Sequence, residues 1–188
     1  MTEKKNGIIQ KYFDREETIK VSLKKYFIFN NKREGEFKIY WNNGQLSLIC
    51  NYKNDNLEGE YKCYYEDGQL RMIYNYKNNK KEREYKEYHT NGQIKGICNY
   101  KNDNLEGECK TYWKSGKLSL IYNYKNNRLE GEYKGYYENG QLSIIYNYKN
   151  YILEGEYKSY HENGQLYRVS NYKNGKKEGE DREYLCDE

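Results

Sequence analysis

Short runs of Tyr, Ile and Leu alternate with Lys, Glu and Asn along the chain, and the alternation recurs every 24 residues without slippage. One copy reads from Gly131 to Glu154. The same frame starts at Gly35, Gly59, Arg83, Gly107, Gly131 and Gly155, and a partial copy runs from Gly179 to Glu188. A fixed period of this length marks a repeat array whose units touch only their neighbours. Within a copy the apolar positions recur every second residue, and the runs are rich in Tyr and Ile. Both features predict strands rather than helices. The two runs flank a bend at Asn43-Gly44, Asp67-Gly68, Asn91-Gly92, Ser115-Gly116, Asn139-Gly140 or Asn163-Gly164. Asn-Gly and Asp-Gly are strong hairpin signals, so a two-residue type I′ turn is expected at each. A second connection, such as Asn54 to Gly59, leads to the next hairpin. The expected fold class is all-β: an elongated array of consecutive antiparallel β-hairpins in one twisted sheet.

A two-residue turn at Asp67-Gly68 sets the expected register. Tyr65 then opposes Leu70, Cys63 opposes Met72, Tyr61 opposes Tyr74 and Gly59 opposes Tyr76, all on an aromatic face. Glu60, Lys62, Tyr64, Arg71, Ile73, Asn75 and Lys77 take the other face. The glycine at each unit start is expected to leave bare backbone for the opposing ring (Tyr52, Tyr76, Tyr124, Tyr148 or Tyr172) to lie across. The third unit has Arg83 in that slot and Lys81 in place of the usual Leu, which predicts a local distortion. Residues 1–34 read as a degenerate N-terminal capping segment, 35–178 as six 24-residue repeats, and 179–188 as a partial C-terminal repeat. Ile8, Ile9, Tyr12, Phe13, Val21 and Leu23 are candidates to cover an open sheet edge.

Composition qualifies this picture. Charged residues at 33% and hydrophobic ones at 36%, with a mean hydropathy of −1.34, would by themselves point to disorder. The 26 Tyr argue the other way, since each ring buries a large area while its hydroxyl stays wet. A net charge of +4, from 33 basic and 29 acidic residues, is too balanced for a nucleic-acid binder. No apolar run is long enough to span a bilayer as a helix, and the first ten residues lack a secretory signal. The five Cys are odd in number. That suggests a reduced, cytoplasmic chain, with Cys50–Cys63 and Cys98–Cys109 as cross-strand neighbours that stay unbridged.

The candidate binding feature is a column of large side chains in one slot beside the first bend: Trp41, Tyr65, His89, Trp113, Tyr137 and His161. Such a row can form a groove for a partner, or its rings can pack on one another and on Leu46, Leu70, Ile94, Leu118, Leu142 and Leu166. His89 and His161 fill a ring slot too far apart to share a metal ion. No catalytic group, metal site or cofactor site is expected. Carboxylates such as Glu58 and Glu60 recur in nearly every copy, which reads as structural rather than as an acid/base pair. The Glu–Lys ladder through Glu60, Lys62 and Lys77 reads as a solvated face.

Leu129-Glu130-Gly131-Glu132-Tyr133-Lys134, Glu138-Asn139-Gly140-Gln141-Leu142 and Asn147-Tyr148-Lys149-Asn150 together resemble the MORN repeat in its second variant, and the resemblance covers residues 35–188. Arg83, Cys109 and the first 34 residues depart from it. The resemblance implies a sheet of hairpins and protein–protein association, with lipid binding proposed for some members. Bacterial relatives are often labelled antitoxins, and Asn/Lys/Tyr-rich versions resemble those of large DNA viruses, which implies a host-cytoplasm setting. The function expected is therefore a non-enzymatic scaffold for a protein partner, or for a second copy, through the aromatic face or the end strands. A peripheral phospholipid binder is the alternative.

Overall fold

A computed structural model describes residues 7–13 and 22–185. Among these every regular element is a β-strand, and within each unit the paired strands run antiparallel. The chain forms two compact units, residues 1–92 and 93–188.

In the first unit Gly7–Phe13 pairs with Ser22–Phe29, which pairs with Lys32–Tyr40. Residues 1–6 and 14–21, which include Val21 and much of the expected cap, lie outside the described residues. So do the side chains of Ile8, Ile9, Tyr12, Phe13 and Leu23. The meander continues through Leu46–Lys53, the short rung Asn56–Leu57, Gly59–Tyr64, Leu70–Lys77 and Lys80–Tyr88. The second unit repeats the plan from Ile94–Lys101 to Lys176–Glu183.

The expected register holds from Cys63↔Met72 through Tyr61↔Tyr74 to Gly59↔Tyr76. Nearer the bend it differs: Tyr64, not Tyr65, opposes Leu70, and Arg71 is an extra residue. The reason is the turn. Tyr65 N–H donates to the Gln69 carbonyl at 2.9 Å, and Gly68 N–H to the Tyr65 carbonyl at 3.0 Å. Gly68 has φ 85° while Asp67 is not in the left-handed region. This is a three-residue loop closed by a left-handed glycine, not a two-residue type I′ turn. The Arg71 bulge absorbs the added residue and restores the register beyond it. The residue before each glycine has its own task. Asn43, Asp67, Asn139 and Asn163 accept a hydrogen bond through Oδ1 from the backbone N–H two residues on, at 2.8–3.0 Å.

The two-residue turns with positive φ at both positions are the second connections instead. Asn54/Asp55 have φ 51°/67° and Asn78/Asn79 have 50°/64°, and the same holds at Asn102/Asp103, Asn126/Asn127, Asn150/Tyr151 and Asn174/Gly175. Asn and Asp tolerate this region better than other side chains do.

The unit-start glycine also has a different cause from the one expected. Gly35, Gly59, Gly107, Gly131 and Gly155 have φ between 75° and 82°, and a Cβ built on any of them meets nothing within 4 Å. The backbone angle, not room for a ring, selects glycine. It arises because neighbouring copies pair only in part. Ile49 opposes Lys62 and the Asn51 carbonyl accepts from Glu58 N–H at 3.0 Å, so Gly59, Glu60 and Tyr61 bulge out opposite Cys50 alone. Arg83 adopts the same bulge at φ 66°, with Asn75↔Glu82 and Ile73↔Lys86 in the same places. The distortion expected there is absent, and the backbone angle absorbs the substitution.

A single-layer sheet buries little. Cys50, Cys109 and Ser170 are the side chains below 2% exposure among the described residues. The interior is a row of rings. Tyr122, Tyr133, Tyr146 and Tyr157 stack in sequence at centroid separations of 5.6, 4.7 and 5.6 Å, and Tyr74 stacks on Tyr85 at 4.5 Å. Tyr148 meets Tyr146 edge-on at 5.3 Å. Such contacts add about 0.5–1.5 kcal/mol each beyond the area they bury.

Candidate functional site

The side chains of the ring column sit at the residue just before each three-residue loop, where the backbone carbonyl accepts from the loop glycine (Gly44 to Trp41, Gly92 to His89, Gly164 to His161). Trp41, Tyr65, Trp113 and Tyr137 reach the next copy. Trp41 Nε1 donates to the Tyr64 carbonyl at 3.2 Å and Tyr65 Oη to the Tyr88 carbonyl at 2.7 Å. Trp113 Nε1 donates to the Tyr136 carbonyl at 3.2 Å and Tyr137 Oη to the Tyr160 carbonyl at 2.7 Å. At these four positions the slot staples copy to copy through the polar tip of the ring. Trp113 remains 39% exposed. His161 packs edge-on against Tyr167 at 4.9 Å, and its Nε2 is buried without a hydrogen-bond partner.

The recurrent charges are committed elsewhere. Glu34, Glu58, Glu106, Glu130 and Glu154 each accept the N–H of the next second-turn Asn (54, 78, 126, 150 or 174) at 2.8–2.9 Å. On the strands Lys62 pairs with Glu60 and Lys158 with Glu156 at 2.6 Å, and Lys38, Lys86, Lys110 and Lys134 pair likewise with the glutamate two residues before. The glutamate hydrogen bond raises the pKa of these lysines. The pairs are solvated and contribute little to stability. In the last, partial copy Asp181 falls in the slot that Tyr133 and Tyr157 fill in the stacked row. It accepts from Arg168 Nε at 2.8 Å and from Ser170 and Lys177, and Arg168 foremost holds its carboxyl far below the usual range. The ring row ends there in a charge cluster. Among the described residues no three His, Cys, Asp or Glu side chains converge as a metal site.

The cysteines correct one expectation. Cys98 and Cys109 form a disulfide, with Cα atoms 4.4 Å apart. They occupy the slots where Tyr74 and Tyr85, or Tyr122 and Tyr133, stack. Beside the Ile97↔Lys110 pair, two small side chains in these slots bring their sulfurs together. Cys50 and Cys63 are free, and burial pushes the Cys50 thiol up to about 12.

The MORN repeat variant family matches this chain at residues 33–54, 57–78, 83–102, 105–126, 129–150 and 153–174, the span from which every staple above is built. The chain belongs to the MORN repeat family. No curated protein matches it. The third MORN match is the short one, beginning at Arg83 and leaving out Lys81.

One feature of this MORN array escaped the sequence reading. Tyr151 and Ile152 are 51% and 44% exposed at a second-type turn. The matching turns carry Asp55-Asn56, Asn79-Lys80, Asp103-Asn104, Asn127-Arg128 and Gly175-Lys176. Aligning the copies slot by slot would have exposed the pair, because the signal is a departure from polarity and not a motif.

Proposed function

We propose that the chain is a non-enzymatic scaffold that binds a protein partner on the surface lined by the ring column. The observation that carries this reading is Trp113. Its Nε1–H is tied to the Tyr136 carbonyl while its ring stays 39% exposed. A ring fixed before binding loses little side-chain freedom on docking, and Trp is a favoured interface anchor. Support also comes from what recurs. The Glu, Lys and His residues that could suggest chemistry occupy repeat slots, and Glu58, Glu60, Lys62 and their equivalents are engaged within the sheet. Lys62, Lys158 and the lysines at the same position of the other copies are each matched by a glutamate, which leaves little free cation density along that row for anionic headgroups. This favours a protein over a lipid.

The test is affinity capture from the native host with the intact chain and with Trp113→Ala, alongside a thermal melt of each. Trp113→Ala is expected to abolish capture while the fold persists, with a destabilisation of about 2 kcal/mol for a half-exposed ring. Equal capture by the two proteins would refute a partner surface at this column.

A further inference from the structure

We infer that the turn edge around Tyr151 and Ile152 is a docking site for an acidic peptide segment of a protein partner. The inference rests on the scaffold reading above but uses a different surface. Tyr151 takes the second position of a type I′ turn at φ 68°. That region is unfavourable for a bulky side chain, and the equivalent positions hold Asn31, Asp55, Asn79, Asp103, Asn127 and Gly175. The following residue is Ile152, where the other copies place Lys, Asn or Arg. The two changes together put an aromatic and an aliphatic side chain in solvent at a turn that keeps its backbone-to-backbone bond: Tyr151 N–H still donates to the Leu129 carbonyl at 3.0 Å, as Asn127 N–H does to Leu105. Asn127 Oδ1 at the equivalent position accepts the Leu105 N–H, a bond that Tyr151 has no side-chain acceptor to reproduce, and strain retained at an exposed aromatic points to recognition.

Charge identifies the occupant. Beside the turn, Lys125, Asn126, Arg128, Glu130 and Asn150 line an open cleft of about 460 Å³. Lys125, Arg128 and the neighbouring Lys149 are exposed and form no ion pair among the described residues. The one carboxylate in the cleft, Glu130, already accepts the Asn150 N–H at 2.8 Å. The edge thus pairs unmatched cations with an apolar tip. An extended segment with glutamates around a large apolar residue complements both, the carboxylates meeting Arg128 and Lys125 and the apolar side chain covering Tyr151 and Ile152.

The test uses the full chain and a short fluorescein-labelled peptide in which glutamates flank a Leu-Phe pair, with a lysine-for-glutamate peptide as control. Fluorescence anisotropy should show saturable binding of the acidic peptide only, weakening with salt. The double variant Tyr151→Asn, Ile152→Asn restores the sequence type of the other turns. It should weaken binding by about tenfold or more while the melting temperature stays level or rises. Lys125→Glu with Arg128→Glu should weaken it likewise. The inference is overturned if the acidic peptide does not bind, if the double variant binds it unchanged, or if the lysine peptide binds equally. It is also overturned if phosphatidylserine vesicles, and not the peptide, are retained in a manner sensitive to Tyr151 and Ile152, which would make the edge a membrane contact. Loss of peptide binding in Trp113→Ala but not in the double variant would refute this site while leaving the scaffold reading in place.

Discussion

Replacing Arg83 by glycine should stabilise the protein, although it deletes a whole side chain. Arg83 sits at φ 66° in the slot where its counterparts are glycines at 75–82°. A left-handed backbone costs an L-residue roughly 1–2 kcal/mol. Glycine forfeits about 0.5–1 kcal/mol of that through the greater freedom of its unfolded chain. The side chain is exposed, so little packing is lost. The balance favours glycine by about 0.5–1 kcal/mol, or a rise of roughly 1–4 °C in melting temperature for a chain of this size. Thermal melts followed by far-UV circular dichroism would measure it, with Gly131→Arg as the mirror experiment. No atom lies within 4 Å of a Cβ at Gly131. The mirror variant should therefore lose a comparable amount and no more. A fall in melting temperature for Arg83→Gly would refute the account. So would a loss of several kcal/mol for Gly131→Arg, which would show that the slot is selected for the space under Tyr148 after all.

Two further outcomes are expected. Reducing the Cys98–Cys109 disulfide, which closes a loop of sequence separation 11, should cost about 3 kcal/mol and lower the melting temperature by roughly 6–12 °C. A Cys98→Tyr, Cys109→Tyr variant should melt at one temperature with and without dithiothreitol, because those slots accept stacked rings in the neighbouring copies. Alkaline pH should unfold the sheet. Burial foremost raises the pKa of Tyr61, Tyr85 and Tyr146 above the ordinary value of 10.0. Their contribution to stability is complete below about pH 10 and is lost as pH rises beyond it, since the unfolded phenols ionise first. Tyrosinate absorbance should then rise together with the loss of circular dichroism, and ionisation of all the tyrosines ahead of unfolding would contradict the buried row.

The repeat frame and the two faces were legible because both follow from spacing alone. Tyr61↔Tyr74 and Gly59↔Tyr76 stand where a period of two puts them. The bends were not, because Asn-Gly suits two turn types. A left-handed glycine closes a three-residue loop as readily as it completes a type I′ turn, and the choice lies with bonds that leave the dipeptide. Asn43 Nδ2 donates to the Glu66 carbonyl of the next copy at 2.7 Å, and Asn139 Nδ2 to that of Glu162 at 2.7 Å. Likewise the ring column was visible as a slot, but its hydrogen bonds to the following copy were not, since sequence shows which residues share a position and not what their tips reach. The cysteine pair was placed as neighbours and expected to stay reduced from an odd count. Their chemistry depended on which opposed positions they filled.

The ties between copies have a consequence for how such a chain changes over generations. Each staple spans a constant interval: 20 residues from a glutamate to the next turn amide, 22 from Leu57 N–H to Asn79, and 23 from a column ring to its carbonyl. Duplicating or excising a whole copy restores each interval at the new junction, so the array can lengthen or shorten by recombination and still close its bonds. Gaining or losing a single codon shifts at least one of these intervals, and over most of a copy it shifts all three. The gene therefore has an indel grain of one full copy, and length variants of this protein should differ by multiples of 24 residues.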